Sequence, residues 1–160
     1  MKSVELTTLD AEGTRAAGAR LGRVLLPGDV IALSGELGSG KTVFVQGLAR
    51  GVDTDSGALV TSPSFVILNE YPGRLWLYHF DFYRLGEEDE VLGLGYEEYF
   101  EGNGVCAVEW ADKFPEIFGP GTLWIRLTRV GDSERVIEFR PGGGLSERWK
   151  LIIKALDGKQ

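Results

Sequence analysis

The stretch Gly35-Glu36-Leu37-Gly38-Ser39-Gly40-Lys41-Thr42 decides the fold of this 160-residue chain. It matches the pattern G-x-x-x-x-G-K-[ST] at every fixed position. Residues 29–34, just before it, form a short apolar run with β-branched side chains that predicts a buried strand. Residues 42–50, just after it, have apolar side chains at helical spacing. A strand, a glycine-rich loop and a helix in this order are the context in which the motif forms a P-loop.

The chemistry of this loop predicts a nucleotide site that involves all eight of its residues. Glycines let successive backbone N–H groups turn inward around a phosphate, and the helix N-terminus favours anions. We expect Lys41 to reach the β- and γ-phosphates and the Thr42 hydroxyl to bind Mg²⁺. The strand and helix context disfavours the alternative, a glycine-rich turn before an ordinary helix.

The composition is that of a soluble globular protein, and we expect one domain over residues 1–160. Hydrophobic residues make up 43% of the chain and charged residues 26%. The net charge of −7 argues against a broad basic surface for nucleic acid. The one cysteine, Cys106, excludes an internal disulfide. Without a membrane-length apolar run or a hydrophobic signal core, we expect a cytoplasmic protein.

Two apolar segments each carry an acid at their ends. Residues 75–84 are aromatic-rich and strand-like, and alternation places His79, Asp81 and Tyr83 on one side. A lone histidine is usually structural, whereas a carboxylate among apolar neighbours needs a partner such as Mg²⁺, its water shell or Arg84. Residues 104–110 form a second apolar strand that ends at Glu109, as in a Walker-B pattern. The alternative for Glu109 is a solvated glutamate at the strand exit.

The remaining segments predict an α/β fold whose mainly parallel central sheet is flanked by helices. We expect strands at residues 4–6 and 66–68, helices at 11–26, 87–94 and 146–156, and a β-hairpin over 122–130 and 135–139 that adds antiparallel strands to a sheet edge. A hydroxyl of Ser62 or Ser64 can face the γ-phosphate, although a plain turn fits equally well. Arg126, Arg129 and Arg135 can reach the nucleotide, although ordinary solvated arginines fit better.

Several motifs together resemble the TsaE family, the small ATPases of bacterial tRNA threonylcarbamoyladenosine synthesis. They are GELGSGKT at residues 35–42, SPSF at 62–65, YHFDFYRL at 78–85 and VEW at 108–110. The resemblance covers residues 10 to 130, and the HFD-x-YR and EW elements are far more specific than the P-loop. The family's usual SPTF appears here as SPSF, so Ser64 retains a hydroxyl at the threonine position.

This resemblance implies ATP binding and slow, Mg²⁺-dependent hydrolysis by a protein that acts on a TsaB–TsaD complex. TsaD transfers the threonylcarbamoyl group to N6 of adenosine 37, so this chain would interact with tRNA only indirectly, through the complex. The resemblance implies that Lys41 contacts phosphate, that Thr42 and Glu109 hold Mg²⁺, and that Asp81 serves hydrolysis through metal-bound water. It also implies that Trp110 lies beside the nucleotide and reports or gates its state.

Two other kinds of nucleotide-binding protein compete with this interpretation. A P-loop small-molecule kinase needs an acceptor pocket and an arginine-bearing lid, and no compact arginine-rich segment stands out. A regulatory GTPase needs an Asn-Lys-x-Asp motif that reads guanine, and this motif does not occur in the sequence.

Overall fold

The computed structural model describes residues 1–54, 60–61 and 67–158. The predicted hydroxyl site at Ser62 and Ser64 and the start of the predicted strand at residue 66 therefore lie outside the described residues. The described strands are β1 (Val4–Thr8), β2 (Val30–Ser34), β3 (Leu68–Tyr71), β4 (Leu77–Asp81), β5 (Val105–Glu109), β6 (Thr122–Arg129) and β7 (Arg135–Pro141). The described helices are α1 (Ala11–Gly22), α2 (Lys41–Gly51), α3 (Glu88–Leu92), α4 (Tyr96–Phe100) and α5 (Trp149–Leu156).

The seven described strands form one sheet in the order β1-β7-β6-β2-β5-β4-β3. The four central strands, β4, β5, β2 and β6, are parallel to one another. Antiparallel strands flank them: β3 pairs with β4, while β7 pairs with β6 and with β1. This architecture confirms the predicted α/β class with a parallel centre and a C-terminal antiparallel hairpin.

The hairpin of β6 and β7 is not at a sheet edge, so that expectation was wrong. β1 pairs outside β7, with Leu6 opposite Ile137, and β6 pairs in parallel with β2. The half-buried Val4 and Leu6 pack against the core from the strand that covers β7. Pairing with β1 satisfies the outer backbone groups of β7, which would otherwise form an exposed edge.

Helices cover both faces of the sheet. α1, α2 and α5 pack on one face around a core that includes Phe44, Leu48 and Phe139. On the other face, α3, α4 and two short 3₁₀ turns pack around Phe80, Phe82 and other apolar residues. β5 is buried along its whole length because it lies between these two layers, as expected for a parallel strand.

Helix α1 and strand β4 are both shorter than predicted. α1 ends at Gly22, because the amides of Val24 and Leu25 bond to carbonyls three residues back in turns. β4 ends at Asp81, whose carboxylate accepts a hydrogen bond from the Tyr83 N–H. Tyr83 therefore lies beyond the strand and not on the face that His79 and Asp81 were predicted to share with it.

Glycines allow α1 and α2 to pack with their backbones in close contact. Gly18 and Gly22 of α1 face Gly47 and Gly51 of α2. A Cβ placed on Gly47 would lie 2.1 Å from the Arg15 carbonyl oxygen, a distance that no side chain tolerates. This close crossing fixes the position of α2, and with it the N-terminus of α2 at the glycine loop.

None of the helices within residues 1–54, 60–61 and 67–158 has the length and apolar character that a membrane span requires.

Candidate nucleotide and metal site

The glycine loop connects the end of β2 at Ser34 to the start of α2 at Lys41, as predicted. Gly35 has φ +143°, and a Cβ there would lie 2.5 Å from both the Leu127 carbonyl oxygen and the Ser39 hydroxyl. Gly40 has φ +103° and is the N-cap of α2. Positive φ values favour glycine, so both residues are required by backbone conformation. The loop leaves the N-terminus of α2 directed at the site, which suits an anion.

Lys41 is buried in the centre of the loop, with 5% of its surface exposed. Its ammonium donates hydrogen bonds to the carbonyl oxygens of Gly35 at 2.5 Å and Glu36 at 3.0 Å. The Trp110 ring centroid lies 4.1 Å from the same ammonium, within the range of a cation–π contact. The backbone of the loop therefore holds the Lys41 ammonium beside the place that a phosphate would occupy.

Burial lowers the pKa of Lys41, and the negative charges of Glu109, Asp81 and Asp112 oppose that shift. An anion stabilises a buried ammonium more than neutral carbonyl oxygens do. The electrostatics of the loop therefore favour a negatively charged ligand beside Lys41.

Glu109 is buried at the end of β5, with 3% of its surface exposed. The Thr42 hydroxyl lies 3.0 Å from each of its carboxylate oxygens. This contact joins two residues 67 positions apart in the chain and excludes the alternative of a solvated strand-exit glutamate.

His79, which was expected to be structural, is a second partner of Glu109. It is fully buried on β4, and its Nε2 lies 2.5 Å from a Glu109 carboxylate oxygen. An ionised carboxylate only accepts hydrogen bonds, so Nε2 is the donor of this contact when Glu109 is ionised. Nδ1 has no hydrogen-bond partner among the described residues. The one sequence feature that pointed to a buried partner for His79 is its place as a polar side chain among the apolar residues of β4.

Asp81 lies at the same edge of the sheet as Glu109, because the two residues are paired in register across β4 and β5. It is half-buried, and its Oδ1 accepts a hydrogen bond of 2.9 Å from the Tyr83 N–H. The structure thus gathers the predicted acids near Lys41, with Glu109 in direct contact with Thr42 and Asp81 on the neighbouring strand.

Trp110 follows Glu109 with φ +60°, a backbone conformation that is uncommon for a bulky residue. This turn places its ring over Lys41, as described above. The Tyr83 ring packs against the indole, with 5.0 Å between the ring centroids. Unusual backbone conformations persist where the surrounding structure enforces them, often at functional sites.

The oxygen atoms of Thr42 and Glu109 fit a magnesium ion better than a transition metal. No group of three or more His, Cys, Asp or Glu residues in the described part of the chain is arranged to hold a metal ion by itself. Magnesium bound with a nucleotide needs only one or two carboxylates, because phosphate oxygens and waters complete its octahedron. A hydroxyl and a carboxylate at the loop supply hard oxygen ligands of this kind.

A cleft of about 610 Å³ opens beside the loop. Its walls include Glu36, Trp110, Asp112, Arg126 and Arg129. The volume falls within the range of pockets that bind small ligands. Arg126 and Arg129, which were expected to be ordinary solvated arginines, line this concave surface next to the P-loop.

Comparisons with known proteins agree over most of the chain. The family model described as "Threonylcarbamoyl adenosine biosynthesis protein TsaE" matches residues 8–137. The Bacillus subtilis (strain 168) protein named tRNA threonylcarbamoyladenosine biosynthesis protein TsaE is 43% identical over 157 residues, 98% of this chain and 95% of that protein. A Nostoc sp. protein of the same name is 42% identical over 138 residues, 82% of each chain. A crystal structure of Bacillus subtilis YdiB is similar in fold, with a TM-score of 0.79, 37% identity, and coverage of 98% of this chain and 95% of that one.

Proposed function

The chain belongs to the TsaE family of threonylcarbamoyl adenosine biosynthesis proteins, and from this premise we propose that it binds ATP with Mg²⁺ and hydrolyses it slowly. In this proposal the chain is an accessory protein in the synthesis of N6-threonylcarbamoyladenosine at position 37 of tRNA. It acts on a complex of TsaB and TsaD and supports the turnover of that complex, while the transfer of the threonylcarbamoyl group takes place on another chain.

The contact between Thr42 and Glu109 is the observation that supports this proposal most directly. It brings the last residue of the P-loop motif and the acid at the end of β5 to within 3.0 Å of each other. P-loop nucleotide hydrolases hold Mg²⁺ with this pair of groups, a loop Ser or Thr and a strand-end acid. The buried Lys41 beside them adds the cation that such sites use for the β- and γ-phosphates.

The residues of the site have distinct roles in the proposed reaction. Lys41 exchanges the carbonyl oxygens of Gly35 and Glu36 for phosphate oxygens when the nucleotide binds, and the backbone amides at the start of α2 hold the same phosphates. Thr42 and Glu109 would hold the magnesium ion, which when bound neutralises charge that develops on the phosphate oxygens. Asp81, in register with Glu109, orients water at this edge of the sheet.

The proposed partners agree with the charge of the chain. A net charge of −7 is unfavourable for direct contact with tRNA phosphates, so the partners would hold the RNA. An acidic surface also suits a basic patch on another protein and speeds its association. Since the proposed substrate complex works on tRNA, we place the chain in the cytoplasm.

Release of ADP from ATP by the purified chain tests this proposal. We expect slow release that requires Mg²⁺, that changes when TsaB and TsaD are added, and that falls at least about tenfold in Lys41→Ala, since charge-assisted hydrogen bonds are lost. Pull-down with TsaB and TsaD, with and without ATP, tests the partners in parallel. We expect association in at least one nucleotide state.

Three results would contradict the proposal. Equal ADP release by wild-type chain and Lys41→Ala would remove the P-loop from the reaction. Strong turnover that depends on an added small acceptor molecule would identify a kinase. Failure to associate with TsaB and TsaD in every nucleotide state would exclude the proposed partners.

A further inference from the structure

Arg135, the first residue of β7, holds the outer side of the P-loop. We propose that Arg135 is a positioning residue, which orients the loop backbone so that its amides face a nucleotide phosphate. This inference rests on the proposed function, because it assigns a role in holding the same nucleotide.

The contacts of Arg135 connect two separate parts of the chain. On the P-loop side, Nε donates to the Ser39 carbonyl oxygen at 3.0 Å, and Nη2 donates to the Gly38 carbonyl oxygen at 3.3 Å. On the hairpin side, Nη1 donates to the carbonyl oxygens of Gly131, Asp132 and Glu134 at 3.0 to 3.4 Å. The guanidinium thus ties the turn between β6 and β7 to residues nearly 100 positions earlier.

The direction of these bonds determines where the loop amides point. In a trans peptide the C=O and the N–H point in opposite directions. With the carbonyls of Gly38 and Ser39 held outward by Arg135, the N–H groups of Ser39 and Gly40 must face the other way. The Ser39 N–H points away from Arg135 in this way; it donates across the loop to the Glu36 carbonyl oxygen at 3.0 Å and would exchange this partner for a phosphate when a nucleotide binds.

Arg135 acts on the loop from outside and not as a direct phosphate ligand. The five hydrogen bonds that its guanidinium makes among the described residues all end on backbone carbonyl oxygens, and none ends on a carboxylate. Only a guanidinium offers several donors in one fixed plane, so a lysine cannot reproduce this pattern. Gly38 and Gly40 have positive φ, and the wide conformational freedom of glycine is what these hydrogen bonds restrict.

Binding of ADP and of inorganic tripolyphosphate, each with Mg²⁺, tests the inference. We expect Arg135→Ala to weaken the binding of both ligands about tenfold, because the loop loses the hydrogen bonds that hold the Gly38 and Ser39 carbonyls. The affinity of Arg135→Lys should lie between those of Arg135→Ala and wild type. Because tripolyphosphate has no base or ribose, an equal loss for both ligands would locate the effect at the phosphates. In steady-state hydrolysis, we expect KM to rise while kcat stays unchanged, since ground-state binding is what the loop provides.

Arg140→Ala is the matched control, because it removes the same charge from the other end of β7. Arg140 is exposed and lies over the Trp124 ring at 5.8 Å, away from the P-loop. We expect this variant to bind both ligands like the wild type. Melting temperatures of the ligand-free variants report whether a loss of binding reflects a loss of fold.

The outcomes separate the inference from the proposed function. If the wild-type chain binds neither ligand, the proposed nucleotide site itself is contradicted. If wild type binds both and Arg135→Ala binds equally well, only the role of Arg135 is overturned. If Arg135→Ala fails to fold, Arg135→Lys decides: wild-type affinity in a variant with a wild-type melting temperature overturns the role.

Discussion

Glu109 connects three elements at the residue scale: it ends β5, accepts a hydrogen bond from Thr42 at the start of α2, and pairs with His79 of β4. The position of Glu109 was predictable, because an apolar run that ends in an acid can be recognised locally. The same holds for Lys41 and Thr42 within their motif. The contact of His79 with Glu109 and the contact of Arg135 with the P-loop backbone were not predictable, since they depend on how β4 and β7 are placed against the rest of the sheet.

Glu109→Gln should raise the Mg²⁺ concentration at half-maximal hydrolysis by about tenfold, because the amide is a poorer magnesium ligand than the carboxylate. The change keeps the size of the side chain and leaves an oxygen that accepts from Thr42. Magnesium titrations of ATP hydrolysis measure the effect.

The matched control for Glu109→Gln is ADP binding in the presence of EDTA. Removing a negative charge beside the phosphates should leave this affinity unchanged or increased. A magnesium titration that coincides with that of the wild type would show that Glu109 does not bind the metal.

At the scale of elements, the crossing of α1 and α2 positions the P-loop helix. The helical spacing in the sequence predicted both helices, although not that α1 ends at Gly22. Helical spacing could not predict the crossing, because nothing in either segment indicates that Gly22 of α1 packs against Gly51 of α2. A helix can be recognised from one segment of sequence, whereas a close contact between helices involves two.

Gly47→Ala should lower the free energy of unfolding by about 1–3 kcal/mol, because the new methyl group collides with the Arg15 carbonyl oxygen. In an isolated helix the same change would increase helix stability by about 1 kcal/mol, so the sign distinguishes packing from propensity. Urea unfolding measures the difference.

Gly119→Ala is the control for Gly47→Ala, since a Cβ at Gly119 meets nothing within 4 Å. We expect a change of no more than about 0.5 kcal/mol there. Equal stability of the Gly47→Ala and wild-type chains would mean that the two helices do not pack as closely as described.

Burial of Cys106 in strand β5 should make the free energy of unfolding fall at alkaline pH. Burial raises the pKa of this thiol from 9.0 to about 12. Between these values the unfolded chain releases the thiol proton and the folded chain retains it, so the free energy of unfolding falls as the pH rises. Between pH 8 and pH 10, the wild type should lose about 1.4 kcal/mol more than Cys106→Ala. Parallel pH profiles for the two proteins in urea unfolding would contradict this burial.

At the scale of the whole molecule, the sheet brings the ends of β2, β4 and β5 to one edge, where the candidate site is located. The α/β class and the parallel centre were predictable, because buried parallel strands and a P-loop both have local signatures. The position of the hairpin inside the sheet was not, since nothing local in β1 reveals that it pairs with β7. Hydrophobic periodicity predicts single strands and helices, but it does not predict which strands from the two ends of the chain pair with each other.

Reconstituted synthesis of threonylcarbamoyladenosine with TsaB, TsaD, tRNA and the activated threonylcarbamoyl donor tests whether the P-loop of this chain supports turnover of the TsaB–TsaD complex. The number of modified tRNAs formed per TsaB–TsaD complex is measured without this chain, with the wild-type chain, and with Lys41→Ala. Our account predicts repeated turnover with the wild type and ATP, and no more than the level without the chain for Lys41→Ala. Equal turnover with Lys41→Ala and with wild type, or no effect of the wild-type chain, would contradict it.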